Sequence, residues 1–514
     1  MKKGLVVALA LLIITLTSLP AFALDVQFSG DYRVRAFYFD SIFATKPAFG
    51  PPPTFTSLGG AAQTSNFLDQ RFRLTSRITA GMTTGVVQLD FLNVNGGPNN
   101  LGNREFGQNF VSSNFGGSNY SGFGSESNTV GVRQAYIVVN LPVARLYAGR
   151  PEVTLGHGLT LKDTVDVIGV ASQIPLPGMP ITFQLGYGKL GEQNNFTTGD
   201  TKDLDLDFYA LTLDMKPTPD NSFAAFAFYG TERREGCTSL TVFATVGCVG
   251  ADGNFVPLAA TTRDLSDLMF GLTADGKLSV AGMGALRYAA EFDNFSGINF
   301  DGRGILGYNF YGDVGADVNL PMAGTISIDL AYLRVQGPSP DNTGPGQKVG
   351  VNSLKGDFKF ANILFSDSTN NYDGVDFNSQ FAEGNIGCNP KALAGLGIPQ
   401  AVNCSAQNTS LNHNIQAFKV YASLKPTDKT SFELAVLPYV WAIQNGGTAC
   451  GPITGGGCGR NVGFEIDANA GYRLDDNLKL TAGYGFFNPG DAFKSATQDK
   501  RNVQKIEVAM TFTF

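Results

Sequence analysis

From Val26 to Phe39 the chain reads VQFSGDYRVRAFYF, and apolar and polar residues change places at almost every step. In an extended strand, one face carries Val26, Phe28, Tyr32, Val34, Ala36 and Tyr38, and the other carries Asp31, Arg33 and Arg35. The design recurs. LDQRFRLTSRITA sets Leu68, Phe72, Leu74 and Ile78 against Asp69, Arg71, Arg73 and Arg77. VGFEIDANAGYR sets Val462, Phe464, Ile466 and Tyr472 against Glu465, Asp467 and Arg473, and KIEVAMTFTF sets Ile506, Val508, Met510, Phe512 and Phe514 against Lys505 and Glu507. Each segment has the ten or so residues that a tilted strand needs to cross a bilayer.

About eighteen such segments follow one another, an even number within the range of outer-membrane barrels. Short turns, such as Leu141-Pro142-Val143-Ala144 and Asp475-Asp476-Asn477, alternate with long stretches rich in Gly, Asn, Ser and Pro. The expected fold is therefore all-β: a transmembrane antiparallel β-barrel of about 18 strands, with short periplasmic turns and long extracellular loops. Alternation is poorest near Arg145 and Val165, and LKGDFKFANILF leaves room for an extra hairpin. A soluble sandwich also alternates. Against it stand aromatic clusters at segment ends (Phe37-Tyr38-Phe39, Phe226-Phe228-Tyr229, Phe486-Phe487), where interfacial girdles belong. The final strand also ends on Phe514, as a signal to outer-membrane assembly machinery would.

Residues 1–23 have the order of a secretory signal peptide: Lys2 and Lys3, an uncharged apolar run, then Pro20-Ala21-Phe22-Ala23. The barrel then occupies 24–514, in the outer membrane of a Gram-negative cell with lipid around it. The 37 Lys and Arg less those two lysines leave 35 against 44 acidic residues, a net of −9, which argues against a nucleic-acid partner.

A charge facing lipid at mid-bilayer costs about 2–4 kcal/mol, so the charged faces look into the lumen. Early strands contribute Arg33, Arg35, Arg71, Arg73, Arg77, Arg133 and Arg150; later ones bring Asp203, Asp205, Asp207, Glu291, Glu433, Glu465 and Asp467. A basic arc should face a more acidic one across a lumen too wide for its own side chains to fill. Two readings stand for the arginines: a selectivity region for anionic groups, or charges paired across the wall. Asp203-Leu204-Asp205-Leu206-Asp207 could bind calcium, but it lacks the tight loop of dedicated sites and reads as solvated carboxylates, so no metal is expected. The cysteines fall as neighbours within single loops (Cys237 with Cys248, Cys388 with Cys404, Cys450 with Cys458), and export passes through an oxidising compartment. Three local disulfides are expected. Catalysis has only His157 and His413 as imidazole bases, each reading as a solvated loop residue; neither an enzyme nor a cofactor is expected.

GVRQAYIVVNLPVARLYAGRPEVTLGHGL, residues 131–159, resembles the alginate-export type of outer-membrane porin at Arg133-Gln134-Ala135-Tyr136 and at Gly149-Arg150. The resemblance implies a monomeric eighteen-stranded barrel with an arginine-rich pore for an anionic polysaccharide, and lumen roles for Arg133 and Arg150. Pro151 stands where that family usually has Gln, so alginate itself is not carried over. The expected function is passive diffusion of small hydrophilic, anionic solutes. The alternative is a scaffold that sheathes a redox partner or displays loops at the cell surface. The stretch from Asn93 to Asn128, dense in Gly, Asn and Phe, is the candidate inward loop or lid.

Overall fold

The computed structural model describes residues 24–40, 65–91, 93–94, 101–105, 130–176, 179–191, 206–232, 248–249, 255–256, 265–280, 284–298, 304–320, 324–335, 348–349, 358–363, 415–442, 460–491 and 502–514. One wall is made of β1 (Asp25–Phe39), β2 (Ser65–Ala80), β3 (Thr83–Phe91), β4 (Val130–Asn140), β5 (Arg145–Arg150) and β6 (Asp166–Ile174). It continues through β7 (Ile181–Gly191), β8 (Leu206–Thr218), β9 (Asn221–Glu232), β10 (Leu265–Val280), β11 (Gly284–Ile298) and β12 (Gly304–Leu320). The last six are β13 (Gly324–Val335), β14 (Ile415–Thr427), β15 (Thr430–Ala442), β16 (Asn461–Arg473), β17 (Leu478–Pro489) and β18 (Val503–Thr513). Each pairs antiparallel with its neighbours in sequence, and β1 pairs with both β2 and β18, so this is a closed 18-strand barrel. Closure satisfies every strand edge, which hydrocarbon requires.

Side-chain parity follows the sequence. Phe28, Ile78, Val132, Leu272, Val314, Ile328, Leu434 and Val508 stand exposed on the outer face, an apolar belt suited to lipid. In register across β7, β8 and β9 lie Tyr187, Tyr209 and Tyr229, an outward tyrosine row near the loop-bearing end. The ends meet at the seam: Gly30 N–H donates to the Phe514 carbonyl at 2.9 Å and Phe514 N–H donates to that of Gly30 at 3.1 Å. The Phe514 ring packs against Phe72 and Phe512, and a Cβ on Gly30 would stand 2.7 Å from it. The closed belt places the protein in a Gram-negative outer membrane.

The wall departs from a regular meander after β5. That strand stops at Arg150 after six residues, and the chain turns inward as a hairpin whose arms are Glu152–Leu155 and Leu161–Thr164 before rejoining the wall at Asp166. Val165 N–H donates to the Pro151 carbonyl at 3.2 Å and closes its base. This explains the poor alternation near Arg145 and Val165: Leu155, Leu159 and Leu161 belong to an element packed on both sides. Residues 358–363, where there was room for an extra hairpin, carry no strand; they run as an inserted segment against the inner wall.

Both insertions sit on apolar inner surface. Leu155, Leu161 and Val165 pack against Phe208, Phe226, Phe228, Met269 and Phe295. Leu159, Phe360, Ala361 and Ile363 share a second cluster with Leu333, Leu437, Val462 and Phe487. The lumen is thus partly filled by chain, not by the wall's own side chains.

Candidate functional site: a constricted lumen

The hairpin tip reads Gly156-His157-Gly158-Leu159-Thr160. Gly156 (φ +59°) and Gly158 (φ +84°) turn in the left-handed region, and a Cβ on Gly156 would meet the Glu291 carboxylate at 2.6 Å. That close approach lets His157 N–H donate to Glu291 Oε2 at 2.5 Å, while the ring lies with Nδ1 3.1 Å from Glu291 Oε2 and Nε2 2.8 Å from Asp275 Oδ1. Burial by itself would lower the imidazole pKa, but the hydrogen bonds and charges of Glu291 and Asp275 outweigh it and raise His157 from 6.5 to about 9. The ring is therefore an imidazolium at neutral pH, clamped between two strands and not solvated as its loop position suggested. Thr160 donates its hydroxyl to Asp293 and accepts from Asn309 Nδ2 at 3.4 Å.

Segment 358–363 is pinned in the same manner. Asn362 N–H donates to Asp467 Oδ2 at 3.1 Å and Ile363 N–H to Glu465 Oε1 at 2.6 Å, while Lys419 and Lys505 donate to the carbonyls of Phe360 and Asn362. Tyr311 joins the insertions, its ring edge-on to His157 at 5.7 Å and to Phe358 at 4.8 Å. Gly485 leaves the room: a Cβ there would lie 2.8 Å from Ile363.

The acids that anchor the insertions are thereby covered, while the side chains of Asp275 and Glu433 stay 42% and 32% exposed. Glu291, Asp293 and Glu465 are 0% exposed, Asp467 1% and Asp329 3%. Lower down, Arg287 bridges Asp317 at 2.8 Å and Asp329 at 2.7 Å.

Arg33, Arg35, Arg71, Arg73 and Arg77 share the inward parity of β1 and β2, opposite the exposed apolar residues. Arg71 binds Asp31 at 2.8 Å, and Arg73 takes Asp90 through two bonds of 2.6 and 3.0 Å. Arg35 lies 3.7 Å from Glu507 and stacks over Phe37, beside Lys505. Arg133 falls at a register shift between β3 and β4 that sets it inward beside Gln134, where it pairs with Glu152 of the hairpin. Arg77 is exposed near the turn-bearing end.

Two residues stand elsewhere than expected. Asp207 shares the outward parity of Tyr209 and Leu211, because Phe208 turns in to pack under the hairpin; it accepts from the Tyr187 hydroxyl at 2.9 Å. Arg150 is in register with the outward Ala135 and lies 3.7 Å from Asp166, with both side chains well exposed. Both sit toward the extracellular rim, near or beyond the tyrosine row, where an outward charge meets headgroups or water and costs little. Asp203, Asp205, His413, residues 1–23, most of the Asn93–Asn128 stretch, five of the cysteines and the side chain of Cys248 lie outside the described residues.

Alternation did not reveal Asp31, Asp90, Glu152 and Glu507 as arginine partners, Lys419 and Lys505 as anchors, or the set of inward acids Asp275, Asp293, Asp313, Asp317 and Asp329. Strand parity alone marks those acids, since each falls on the inner register of β10 to β13. No alternation rule marks the hairpin.

Fold and lumen together define an outer-membrane β-barrel of porin architecture, constricted from within. The family model for alginate export matches residues 399–506, which span β14 to β17 and the start of β18. The resemblance first seen at 131–159 therefore has a counterpart at the other end of the chain. No curated protein matches. Solved structures similar in fold include Pseudomonas aeruginosa OccK11 (OpdR), at 11% identity and TM-score 0.45, covering 95% of this chain and 96% of that one. Pseudomonas aeruginosa OpdL is similar at 8% identity and TM-score 0.47, covering 95% and 99%. Acinetobacter baumannii OccAB2 is similar at 11% and 0.47, covering 95% and 98%.

Proposed function

We propose that the chain is a passive outer-membrane channel for small hydrophilic solutes that favours anions. The observation that carries this reading is where the acidic groups go. Glu291, Asp293, Glu465 and Asp467 are consumed as buried anchors for the two insertions, while Asp31 and Asp90 of the opposite arc are each tied to an arginine. What a solute meets is then the basic side: Arg33, Arg71, Arg73, Arg77 and Arg133, with Arg35 buried behind them against Phe37 and Glu507. Fixed guanidinium groups in a narrowed, low-dielectric passage raise the local anion concentration and offer paired donors to carboxylate or phosphate. Arg150 and Asp207, on the outer face, take no part. The strand β18, whose seam with β1 Phe514 seals, is the segment that assembly machinery would read.

The test is the reversal potential of the refolded barrel in planar bilayers under a salt gradient. Wild type should be anion-selective, and Arg71→Ala/Arg73→Ala should lose that selectivity, because Asp31 and Asp90 then stand unneutralised. A second reading, a barrel that serves as a scaffold, draws on the apolar packing of both insertions inside the lumen; it requires that the isolated protein carry no current.

A further inference from the structure

Below segment 358–363, toward the turn-bearing end, the lumen wall opens into a recess of about 480 Å³ built by β14 to β17. Its back is hollowed by the inward glycines Gly471 and Gly483, which are in register with Ser431 or Thr481 and with Asn469. Around that hollow stand the hydroxyls of Ser423, Ser431 and Thr481 and the ammonium groups of Lys359, Lys425 and Lys479. The carboxylates in the lining are taken: Asp329 by Arg287, Glu507 by Lys505, and Glu433 by Lys419 at 4.0 Å and Asn469. Lys425 and Lys479, both exposed, make no ion pair among the described residues. Two unneutralised cations and a row of hydroxyls on a concave wall, with Tyr421 at its edge held by Asp313 and covered by Lys419, form an anion site of a different make from the arginine arc, where carboxylates and guanidinium groups interlock.

We propose that this recess is a docking subsite for small oligoanions: molecules of tricarboxylate or sugar-phosphate size with two or more anionic groups and hydroxyls between them. The proposal rests on the channel reading above and adds a second stop along the route. Strand spacing decides between one charge and several. Lys425 on β14 and Lys479 on β17 are three strand intervals apart, about 14 Å between backbones at about 4.8 Å per interval. Two lysine stems reaching inward from that distance bracket a molecule with separated charges, and a lone monovalent anion would engage one at a time. The hydroxyl row accepts or donates to whatever lies between them, and 480 Å³ admits a molecule of that size while leaving room for water.

Citrate, added on the turn-bearing side, is the probe. Wild type should show concentration-dependent interruptions of the single-channel current, absent with an equal concentration of glucose. Lys425→Ala/Lys479→Ala should raise the half-blocking concentration about tenfold, as expected for two exposed ion pairs lost together. Gly471→Leu should do the same without changing charge, since even its Cβ would meet Ser431 Oγ at 2.7 Å. Citrate block unchanged by both variants but abolished by Arg71→Ala/Arg73→Ala would overturn the subsite while leaving an anion-selective channel. If the barrel carries no current, calorimetry of citrate on the detergent-solubilised protein decides separately: heat lost in the lysine variant supports the recess, and no heat in wild type refutes it.

Discussion

Replacing His157 by Gln removes the charged clamp at the hairpin tip and leaves a side chain of similar reach. The imidazolium is 22% exposed and its pKa stands at about 9 against 6.5 in water, a displacement that couples protonation to docking of the tip by about 3 kcal/mol. The sign follows from a raised pKa: the contribution is complete below pH 6.5 and is lost as pH rises through about 9. Apolar contact contributes more. Leu155, Leu159 and Leu161 are at most 1% exposed, and each contributes about 1.5–3 kcal/mol by burial. The hairpin should therefore stay seated when the clamp opens, while the tip, 156–160, loosens. Single-channel current noise is the assay. In wild type it should rise as pH passes about 9; in His157→Gln it should be high at pH 7 and change little up to pH 10. Asp275, Glu291 and Tyr311 also face the imidazole, and Asp293 holds the neighbouring Thr160. Equal noise in the two proteins at pH 7, or an alkaline rise that persists in the variant, would refute the clamp.

Leu159→Ala should cost the docked hairpin about 2–5 kcal/mol and raise mean conductance, read in the same bilayer recordings. Gly485→Leu should push Ile363 and its neighbours off the wall while β17 stays paired, seen as faster hydrogen exchange confined to residues 358–363. Gly30→Val places branched bulk against the Phe514 ring at the seam and should slow closure; the folded, heat-modifiable band on semi-native gels would form late or weakly.

The wall was legible because lipid on one side and water on the other impose a period of two that few residues escape. The segments at Val26, Phe72 and Ile506 keep in the structure the faces that their alternation predicted, and so does the one at Phe464 from that residue on; Val462, beyond the register shift at Gly463, turns inward to the lumen cluster instead. Where a third environment intervenes, the rule fails. Phe208 and Tyr209 are both aromatic, one under the hairpin and one facing out, so the run DLDLDFYAL gives no parity to a reader who allows only lipid and water. Arg150 misleads for another reason: the register shift at Arg133 and the six-residue β5 make parity there depend on pairing, which sequence does not display. The hairpin left one trace, leucines flanking Gly-His-Gly where a solvated loop should be polar.

If the hairpin hides the acidic wall and so hands the pore to its arginines, taking it out must give the acids back. Its ends are adjacent, with Val165 N–H on the Pro151 carbonyl, so residues 152–164 can be replaced by a short glycine linker without opening the wall. Reversal potential in a salt gradient, before and after that replacement, reads the exchange directly. Conductance should rise and selectivity should shift from anions toward cations as Glu291 and Asp293 meet the solution and Asp275, already 42% exposed, loses its His157 partner. Unchanged selectivity in an equally open or wider pore would contradict the masking of the acidic wall.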